Sequence, residues 1–505
     1  MAAVNRKWTD GMLSTEDWWA VWLGLIMFFA GMLTIWGIDM VGWMTKTKTW
    51  EWSKLMADFS WDQLLKPAGK NYKDMSPLMS WFTTYLVFTG LTCIGAYFQR
   101  LNVAKFFMGF TCLFIITWLC WIAGHEAHFK AVDAVVKGKN SYEKFELSWG
   151  LQLGGGFSYM LALAVGLIIG NFFKGFANFL KEAAKPEWFI KTAIVYLGIK
   201  LGLMSMKATG YALDLALTGA AATFVAYLLF WPIVYTLGRK AFKLRRDASA
   251  VLASGISICG VSAAIATAGA IRARPILPVA VSMLIVVFAM SELVILPTFY
   301  STVAPDQPIV NGAAMGMTVK TDGADAAAGA ILDELMVSQH LKNTGEAWES
   351  DWILAAAILT KIWIDVFIGV WAFILALIWV YKVERKPGES HVAVSEIWFR
   401  FPKFVIGYFI AWFFYVAIAA FFPEAIKAAS EGANVVQSPM RKMMFMITFV
   451  AIGVISDFSK LRGMGRLAVL YAIALFVIIA PIAYAVAYIF HNGMVPPLVG
   501  AGGAG

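Results

Sequence analysis

The sequence is poor in charge and in the residues that most soluble enzymes use for chemistry. Charged residues make up 14% of its 505 residues, whereas a soluble domain carries about 25%. It has four cysteines, all within apolar segments, so a disulfide framework is not expected. No paired-acid motif, Ser–His pair or metal cluster is visible, and His125 and His128 lack the spacing of a zinc-binding helix. We therefore expect no enzyme, no metal and no cofactor.

Long apolar runs, in contrast, are abundant. Hydrophobic residues make up 60% of the chain, and it contains 22 tryptophans, a residue that collects at membrane interfaces. A helix needs about 20 mostly apolar residues to span a bilayer. Runs of about that length lie near 18–38, 79–98, 103–123, 153–173, 190–206, 215–237, 276–299, 353–381, 401–421, 441–457 and 467–490. The sequence therefore predicts an all-α polytopic membrane protein with about 11 transmembrane helices.

Two further segments, 250–271 and 313–337, are rich in Gly, Ala, Ser and Thr and are interrupted by polar groups. The loops on both sides of the first segment are basic, which is typical of the cytoplasmic side. Loops with at most one base, predicted to be external, are 300–312, 338–352 and 422–440. The two segments are therefore predicted to be opposed re-entrant hairpins, one entering from each side. Broken helices that cross the membrane are the alternative.

The same charge pattern places the N-terminus in the cytoplasm and the C-terminus outside, in a bacterial inner membrane. After residue 150, a glycine, a base and a second glycine recur at equal spacing in Gly198–Gly210 and Gly453–Gly465. Matched spans have opposite predicted orientations, which indicates the inverted repeats of secondary transporters. The predicted organisation is an N-terminal extension with about three spans over 1–150, a first repeat over 151–299, a second over 300–490 and a Gly-rich tail over 491–505.

The hairpin tips are the predicted site, because irregular backbone within a membrane is tolerated where it is buried in protein or lines a cavity. In the first tip, a helix that starts near Gly260 would direct free N–H groups and its positive end at an anion, and Ser257 and Ser262 would add hydroxyl donors. Tight helix packing through small residues is the alternative explanation.

The second tip contains three charges within six residues, which are costly in a membrane and usually functional. Lys320 is predicted to pair with an anionic substrate, and Asp322 or Asp325 to bind a coupled proton or sodium ion. An external loop is the alternative. Lys361 and Asp365 are four residues apart, so they are expected either to neutralise each other or to act in function. Glu292 lies near the predicted outer end of its span, so its side chain is expected to be in contact with water.

At these tips the sequence resembles a known family. Residues 254–260, Ser-Gly-Ile-Ser-Ile-Cys-Gly, resemble the G-[TS]-S-I-C-G signature of the sulfate exporter family of bacterial inner-membrane proteins. Residues 316–329 are similar to that family's G-A-S-I-H-D-V-A-Q-V-V-A-A-G, but Lys320 and Thr321 replace its His-Asp, and Asp322 and Asp325 are additional. The resemblance covers about 150 to 490, and the first 150 residues lie outside it.

The resemblance implies an alternating-access transporter for a small anion of the sulfate, sulfite or sulfonate class. The predicted substrate-binding residues are Ser257, Cys259, Gly260, Ser262, Thr318, Lys320 and Thr321, and the predicted ion-coupling residues are Asp322 and Asp325. An anion channel or passive pore is the alternative, and a membrane sensor a further one. The expected partners are the lipid bilayer, the anion and a coupled proton or sodium ion. The GxxxG spacing of Gly198 and Gly202 permits a homo-oligomer.

Overall fold

The computed structural model shows a helical chain with two short antiparallel strand pairs. It describes residues 9–131, 135–136, 139–151, 155–207, 209–258, 260–271, 273–274, 276–379, 398, 402–457 and 465–499. The helices are α1 (Glu16–Met32), α2 (Trp52–Ala57), α3 (Trp61–Leu64), α4 (Pro77–Phe98), α5 (Val103–Ala123), α6 (Ala127–Lys130), α7 (Ser141–Phe145), α8 (Gly156–Phe172), α9 (Lys174–Leu180), α10 (Pro186–Lys207), α11 (Thr209–Thr236), α12 (Arg246–Ser257), α13 (Val261–Ala270), α14 (Ile276–Val303), α15 (Pro308–Thr318), α16 (Asp322–Thr344), α17 (Trp352–Ile378), α18 (Phe404–Phe421), α19 (Ile426–Val435), α20 (Arg441–Ile455), α21 (Gly465–Ala472) and α22 (Ala480–His491). The paired strands are β1 (Thr45–Thr47) with β2 (Leu65–Pro67), and β3 (Val135–Val136) with β4 (Lys139–Asn140).

The all-α polytopic prediction is confirmed. Within the described ranges, 7 helices are long and apolar enough to cross a membrane, or up to 8 if α8 and α9, bent by 115°, form one span. Three other helices, α10, α14 and α17, contain 22, 28 and 27 residues. The total of about 11 spans stays a prediction.

One predicted loop is helical. The segment 422–440 contains α19 and belongs to a helical stretch, Pro423–Ile455, that is long enough to span. Small residues of this helix pack closely on α1. A Cβ added at Gly31 would lie 3.3 Å from the carbonyl oxygen of Gly432. The segment has one base and two acids, Lys427, Glu424 and Glu431, and most of it is helical, so the prediction of a loop over 422–440 is wrong.

Both Gly- and Ala-rich segments fold back on themselves. A Cβ added at Gly255 in α12 would lie 3.5 Å from the Cβ of Ala264 in α13. The Asn311 side-chain amide in α15 lies 3.4 Å from the sulfur of Met336 in α16. In straight helices these pairs would be about 13 and about 37 Å apart, at 1.5 Å per residue. The two segments are therefore hairpins, as the charge pattern predicts, and not straight helices with a local break.

The repeated glycine motif makes equivalent packing contacts in its two copies. A Cβ at Gly198 in α10 would collide with the Tyr408 carbonyl oxygen in α18, and one at Gly453 in α20 would lie 2.5 Å from the Gly166 carbonyl carbon in α8. The first glycine of each copy therefore permits two helices to approach closely through their backbones. The boundaries of the repeats stay a prediction.

We expect Gly198→Ala and Gly453→Ala to destabilise the protein by about 1–3 kcal/mol each, because backbone atoms fill the space that the methyl group needs. Gly210→Ala and Gly465→Ala are matched controls, since no atom of a described residue lies within 4 Å of their Cβ positions. The measurement is the apparent melting temperature of each purified variant in detergent. Four equal melting temperatures would contradict the close helix packing.

Candidate functional site

The two hairpin breaks touch each other. A Cβ added at Gly260, at the first break, would lie 2.5 Å from the carbonyl oxygen of Lys320, at the second. The φ of Gly260 is +66°, which glycine adopts readily and an L side chain rarely does. Four helix ends therefore surround one point: the C-termini of α12 and α15 and the N-termini of α13 and α16. Helix dipoles make the first two ends partly negative and the last two partly positive.

The first break contains an uncapped helix start. No side chain among the described residues caps the N-terminus of α13 at Gly260 by a hydrogen bond. Ser257, the last residue of α12, is fully buried, and its hydroxyl has no hydrogen-bond partner in the described part of the chain. Two predicted substrate-binding residues, Ser257 and Gly260, therefore lie at a break with polar groups that have no partner among the described residues. Cys259 and the side chain of Ser262 lie outside the described residues.

More of the polar side chains at the second break have hydrogen-bond partners. Thr318 is buried and donates its hydroxyl to the Ala314 carbonyl, at 2.7 Å. The ammonium group of Lys320 is also buried and donates to the Met317 carbonyl, at 2.6 Å. Thr321 caps α16 by accepting the Ala324 N–H, at 3.1 Å. These side chains stabilise the break in the present conformation, and their predicted roles in substrate binding stay predictions.

Lys361 joins the two breaks. Its Nζ donates to the Ile258 carbonyl at the end of α12, at 3.3 Å, and to the Val319 carbonyl just after α15, at 3.2 Å. The side chain is 3% exposed. A single ammonium group therefore compensates the partly negative C-termini of both half-helices. Lys361 thus has partners outside its own helix, and nothing in its sequence spacing indicates the two carbonyls that it binds. Its pairing with Asp365 stays a prediction.

Glu292 lies in the middle of α14 and is fully buried, so the expectation that its side chain is in contact with water is wrong. Its Oε2 accepts the backbone N–H of Lys320 at 3.0 Å, and its Oε1 accepts the hydroxyl of Tyr471 at 3.4 Å. The carboxylate therefore satisfies a backbone donor that the second break leaves free. Sequence analysis placed Glu292 too near a helix end because α14 extends to Val303.

The predicted coupling acids lie in the first turn of α16, beside the break. Asp325 is 1% exposed, and neither of its carboxylate oxygens accepts a hydrogen bond from a described residue. Asp322 is partly exposed. Together they place negative charge at the helix N-terminus, where the dipole favours it. Their role in coupling is tested by no contact in the structure and stays a prediction.

One group of potential metal ligands lies away from the breaks. Side-chain atoms of Glu51, Glu126 and His128 lie within 4.8 Å of one another. Each carboxylate already has structural partners, because Glu51 caps α2 through Ser53 and Lys54, and Glu126 caps α6 and bonds His128. Helix capping therefore accounts for the arrangement.

Comparison with known proteins identifies the family. The sequence model of a protein family described as conserved hypothetical protein 698 matches residues 156–472. The chain is 62% identical over 501 residues to UPF0324 membrane protein NE0724 of Nitrosomonas europaea, covering 99% of this chain and 100% of the relative. It is 34% identical over 309 residues to UPF0324 membrane protein RB9488 of Rhodopirellula baltica, covering 59% of this chain and 51% of the relative.

A third relative is shorter. The chain is 24% identical over 325 residues to UPF0324 inner membrane protein YeiH of Salmonella typhi, which covers 64% of this chain and 83% of the relative. The family match begins near the start of α8, so it contains both hairpins and the charged groups around their breaks. This multi-pass membrane protein belongs to the family of conserved hypothetical protein 698, the UPF0324 membrane proteins.

Proposed function

We propose that this chain is a secondary transporter that moves a small anion of the sulfate, sulfite or sulfonate class across the bacterial inner membrane by alternating access. The observation that carries the proposal is the uncapped N-terminus of α13 at the point where two re-entrant hairpins meet. Discontinuous helices near the membrane midplane, with half-helix N-termini directed at an anion, are typical of secondary transporters.

The charges around the breaks favour α13 over α16 as the end that binds the anion. The N-terminus of α16 already has a threonine cap and the two acids Asp322 and Asp325. The N-terminus of α13 has neither, and the unpartnered hydroxyl of Ser257 lies at the same break. An anion there would accept N–H groups that no described side chain satisfies. Lys320 in the second hairpin and Lys361 in α17 would contribute positive charge.

The contact between the breaks favours a carrier over a channel or passive pore. A pore needs a continuous opening, whereas Gly260 and the Lys320 carbonyl leave no room even for a methyl group between them. Passage past this contact requires one hairpin to move relative to the other, which is the movement that alternating access needs. We propose transport without enzymatic catalysis, with Asp322 or Asp325 binding the coupled ion.

The test is counterflow in proteoliposomes that contain the purified full-length chain and unlabelled sulfate. We expect saturable entry of radiolabelled sulfate, with competition by sulfite and methanesulfonate. Gly260→Ala is expected to abolish it because of the collision with Lys320. Ser257→Ala is expected to weaken apparent affinity by about 10-fold or more, the value of a hydrogen bond to a charged group.

Ser350→Ala, an exposed serine, is the matched control for Ser257→Ala and is expected to behave as the unchanged protein. Flux that rises linearly with concentration would contradict a carrier and indicate a pore. Thermal stabilisation by sulfate without any flux would contradict transport and indicate a sensor.

A further inference from the structure

The described helices pack in two groups that meet at the second hairpin. In the first group, which we call the α10 group, α8 packs on α20, and α10 packs on both α18 and α20. In the second, the hairpin group, α11 and the two hairpins pack around α14 and α17. The helix α16 belongs to the hairpin group and also packs on α8, α10 and α20, so it forms part of the boundary between the groups.

Glu334, in α16, makes two polar contacts across this boundary. Its Oε1 is 3.1 Å from the ammonium group of Lys442, near the start of α20, and its Oε2 accepts the N–H of Gly155, just before α8, at 3.2 Å. Glu334 lies about 18 Å along the helix from Asp322 at the second break. With the break near the midplane, as the proposed function requires, these contacts lie at one face of a hydrocarbon core about 30 Å thick. The charge of the loop that follows α16 predicts that this face is external.

Asp351, which directly precedes α17, makes the same kind of contact. Its Oδ2 is 2.8 Å from Nη2 of Arg441 in α20 and 3.7 Å from the ammonium group of Lys200 in α10. Its own N–H donates to Asp333 Oδ2 in α16, at 2.8 Å, which fixes Asp351 to the hairpin group. In all three ion pairs the acid therefore belongs to the hairpin group and the base to the α10 group. A movement between the groups separates the three pairs together.

The charged side chains are placed so that the pairs can break without leaving their own groups. Four of the five are between 14% and 34% exposed, and water can hydrate them when they separate. Arg441 is buried, but its Nε donates to the Gln437 carbonyl in the same helical stretch, at 2.6 Å, and its guanidinium lies 5.5 Å from the centre of the Phe445 ring. Partly exposed ion pairs are weak individually, so they specify one arrangement of the groups without making it permanent.

The boundary beside these pairs is loosely packed. A cavity of about 320 Å³ separates α8 from α14 and α16, and its mostly apolar lining includes Leu163, Leu293 and Ile331. Ile331 is one turn before Glu334 on α16. Atoms that line such a space lack partners on one side, so packing contributes less there to holding the groups together. The ion pairs are therefore well placed to control whether this part of the boundary is closed.

We propose that Glu334 and Asp351, with Lys200, Arg441 and Lys442, form an ionic gate that closes the boundary between the hairpin group and the α10 group at the predicted external face. The part of this gate in transport rests on the proposed function. In each cycle the three pairs break together, α16 moves away from α8 and α20, and a path opens from that face towards the two breaks. When the pairs form again, the path closes.

The ion pairs themselves are tested without transport, by hydrogen–deuterium exchange of the purified full-length chain. We expect Glu334→Gln combined with Asp351→Asn to raise the exchange of backbone amides in the outer half of α16 by about 5-fold, the effect of losing weak ion pairs. Asp306→Asn combined with Glu346→Gln, at two exposed positions, is the matched control and is expected to change nothing.

Exchanging the two charges of one pair distinguishes an ion pair from a general effect of substitution. Glu334→Lys and Lys442→Glu are each expected to raise the exchange of α16, and the two together are expected to restore it, because the pair forms again with its charges reversed. Unchanged exchange in the single variants would overturn the contribution of this pair, and a combined variant that exchanges faster than either single one would overturn it as well.

Opening of the gate is tested in proteoliposomes by a reversible link. Glu334→Cys and Lys442→Cys are joined by a bifunctional methanethiosulfonate with an ethylene spacer, which dithiothreitol cleaves. We expect the link to lower sulfate counterflow by about 10-fold or more and its cleavage to restore the flux, because the two groups cannot separate while they are joined. The unchanged chain, treated with the same reagent, controls for the native cysteines.

Lys70→Cys with Glu431→Cys is the matched linked control. These residues form an ion pair of 2.7 Å between the N-terminal extension and α19, away from the hairpin group, so their link is expected to leave counterflow unchanged. Full counterflow while Glu334→Cys and Lys442→Cys are linked would overturn the gate. Absence of counterflow in the unchanged chain would contradict the proposed function, while hydrogen exchange still decides whether the ion pairs hold the two groups together.

Discussion

Lys361→Met is expected to abolish sulfate counterflow, with a loss of about 100-fold or more, equivalent to about 2.7 kcal/mol. The ammonium group is the donor that the Ile258 and Val319 carbonyls share, and it is buried with them. Methionine has a similar length but no donor, so both carbonyls lose this partner in a region from which water is excluded. Each such loss costs about 1–3 kcal/mol. Asp365 also loses its cation one turn away.

The same substitution is expected to lower the apparent melting temperature, because the two hairpins lose the side chain that connects their breaks. Lys342→Met, at an exposed position near the end of α16, is the matched control and is expected to change neither property. Size-exclusion chromatography separates a folded, inactive variant from an aggregated one. Unchanged counterflow and an unchanged melting temperature in Lys361→Met would show that the bonds from Lys361 to the two carbonyls contribute to neither transport nor stability.

Local composition and loop charge were enough to predict the two hairpins, whereas their role as the site stays a prediction. The Gly, Ala, Ser and Thr content of 250–271 and 313–337 distinguishes them from the oily spans, and the loop charges predict that both fold back. Composition is a local property, and loop charge depends only on the side of the membrane that the loop faces. Both can therefore be recognised from the sequence alone. The contacts Gly255–Ala264 and Asn311–Met336 confirm the hairpins.

The partners of individual charges could not be predicted in the same way. Lys361 is four residues from Asp365, and this spacing indicates a local pair, yet its ammonium also reaches carbonyls 103 and 42 residues away. Glu292 in α14 accepts the backbone N–H of Lys320 in the second break. These contacts depend on how hairpins and spans pack, which no short-range pattern encodes. The prediction of a loop over 422–440 failed for a similar reason, since the helix there packs closely on α1 through Gly432 and Gly31, which are far apart in the chain.

Glu292 is the residue for which packing changes the interpretation most, and its substitution gives the second large effect. Glu292→Leu is expected to lower stability by about 1–3 kcal/mol, because the buried N–H of Lys320 and the hydroxyl of Tyr471 both lose their acceptor. It also removes one negative charge that faces Lys320 and Lys361. We therefore expect a lower melting temperature together with loss of sulfate counterflow.

Glu292→Gln separates these two contributions. The amide oxygen is an acceptor of nearly the same shape, so it can receive the Lys320 N–H, and the melting temperature is expected to recover most of the loss seen with leucine. Glu346→Gln, at an exposed position, is the matched control. If glutamine restores stability but not counterflow, the charge of Glu292 is needed for transport and the hydrogen bond for the fold. If leucine itself has an unchanged melting temperature, the bond from Glu292 does not stabilise the hairpin, and the other contacts of the second break, such as those of Lys361 and Thr321, are sufficient to hold it.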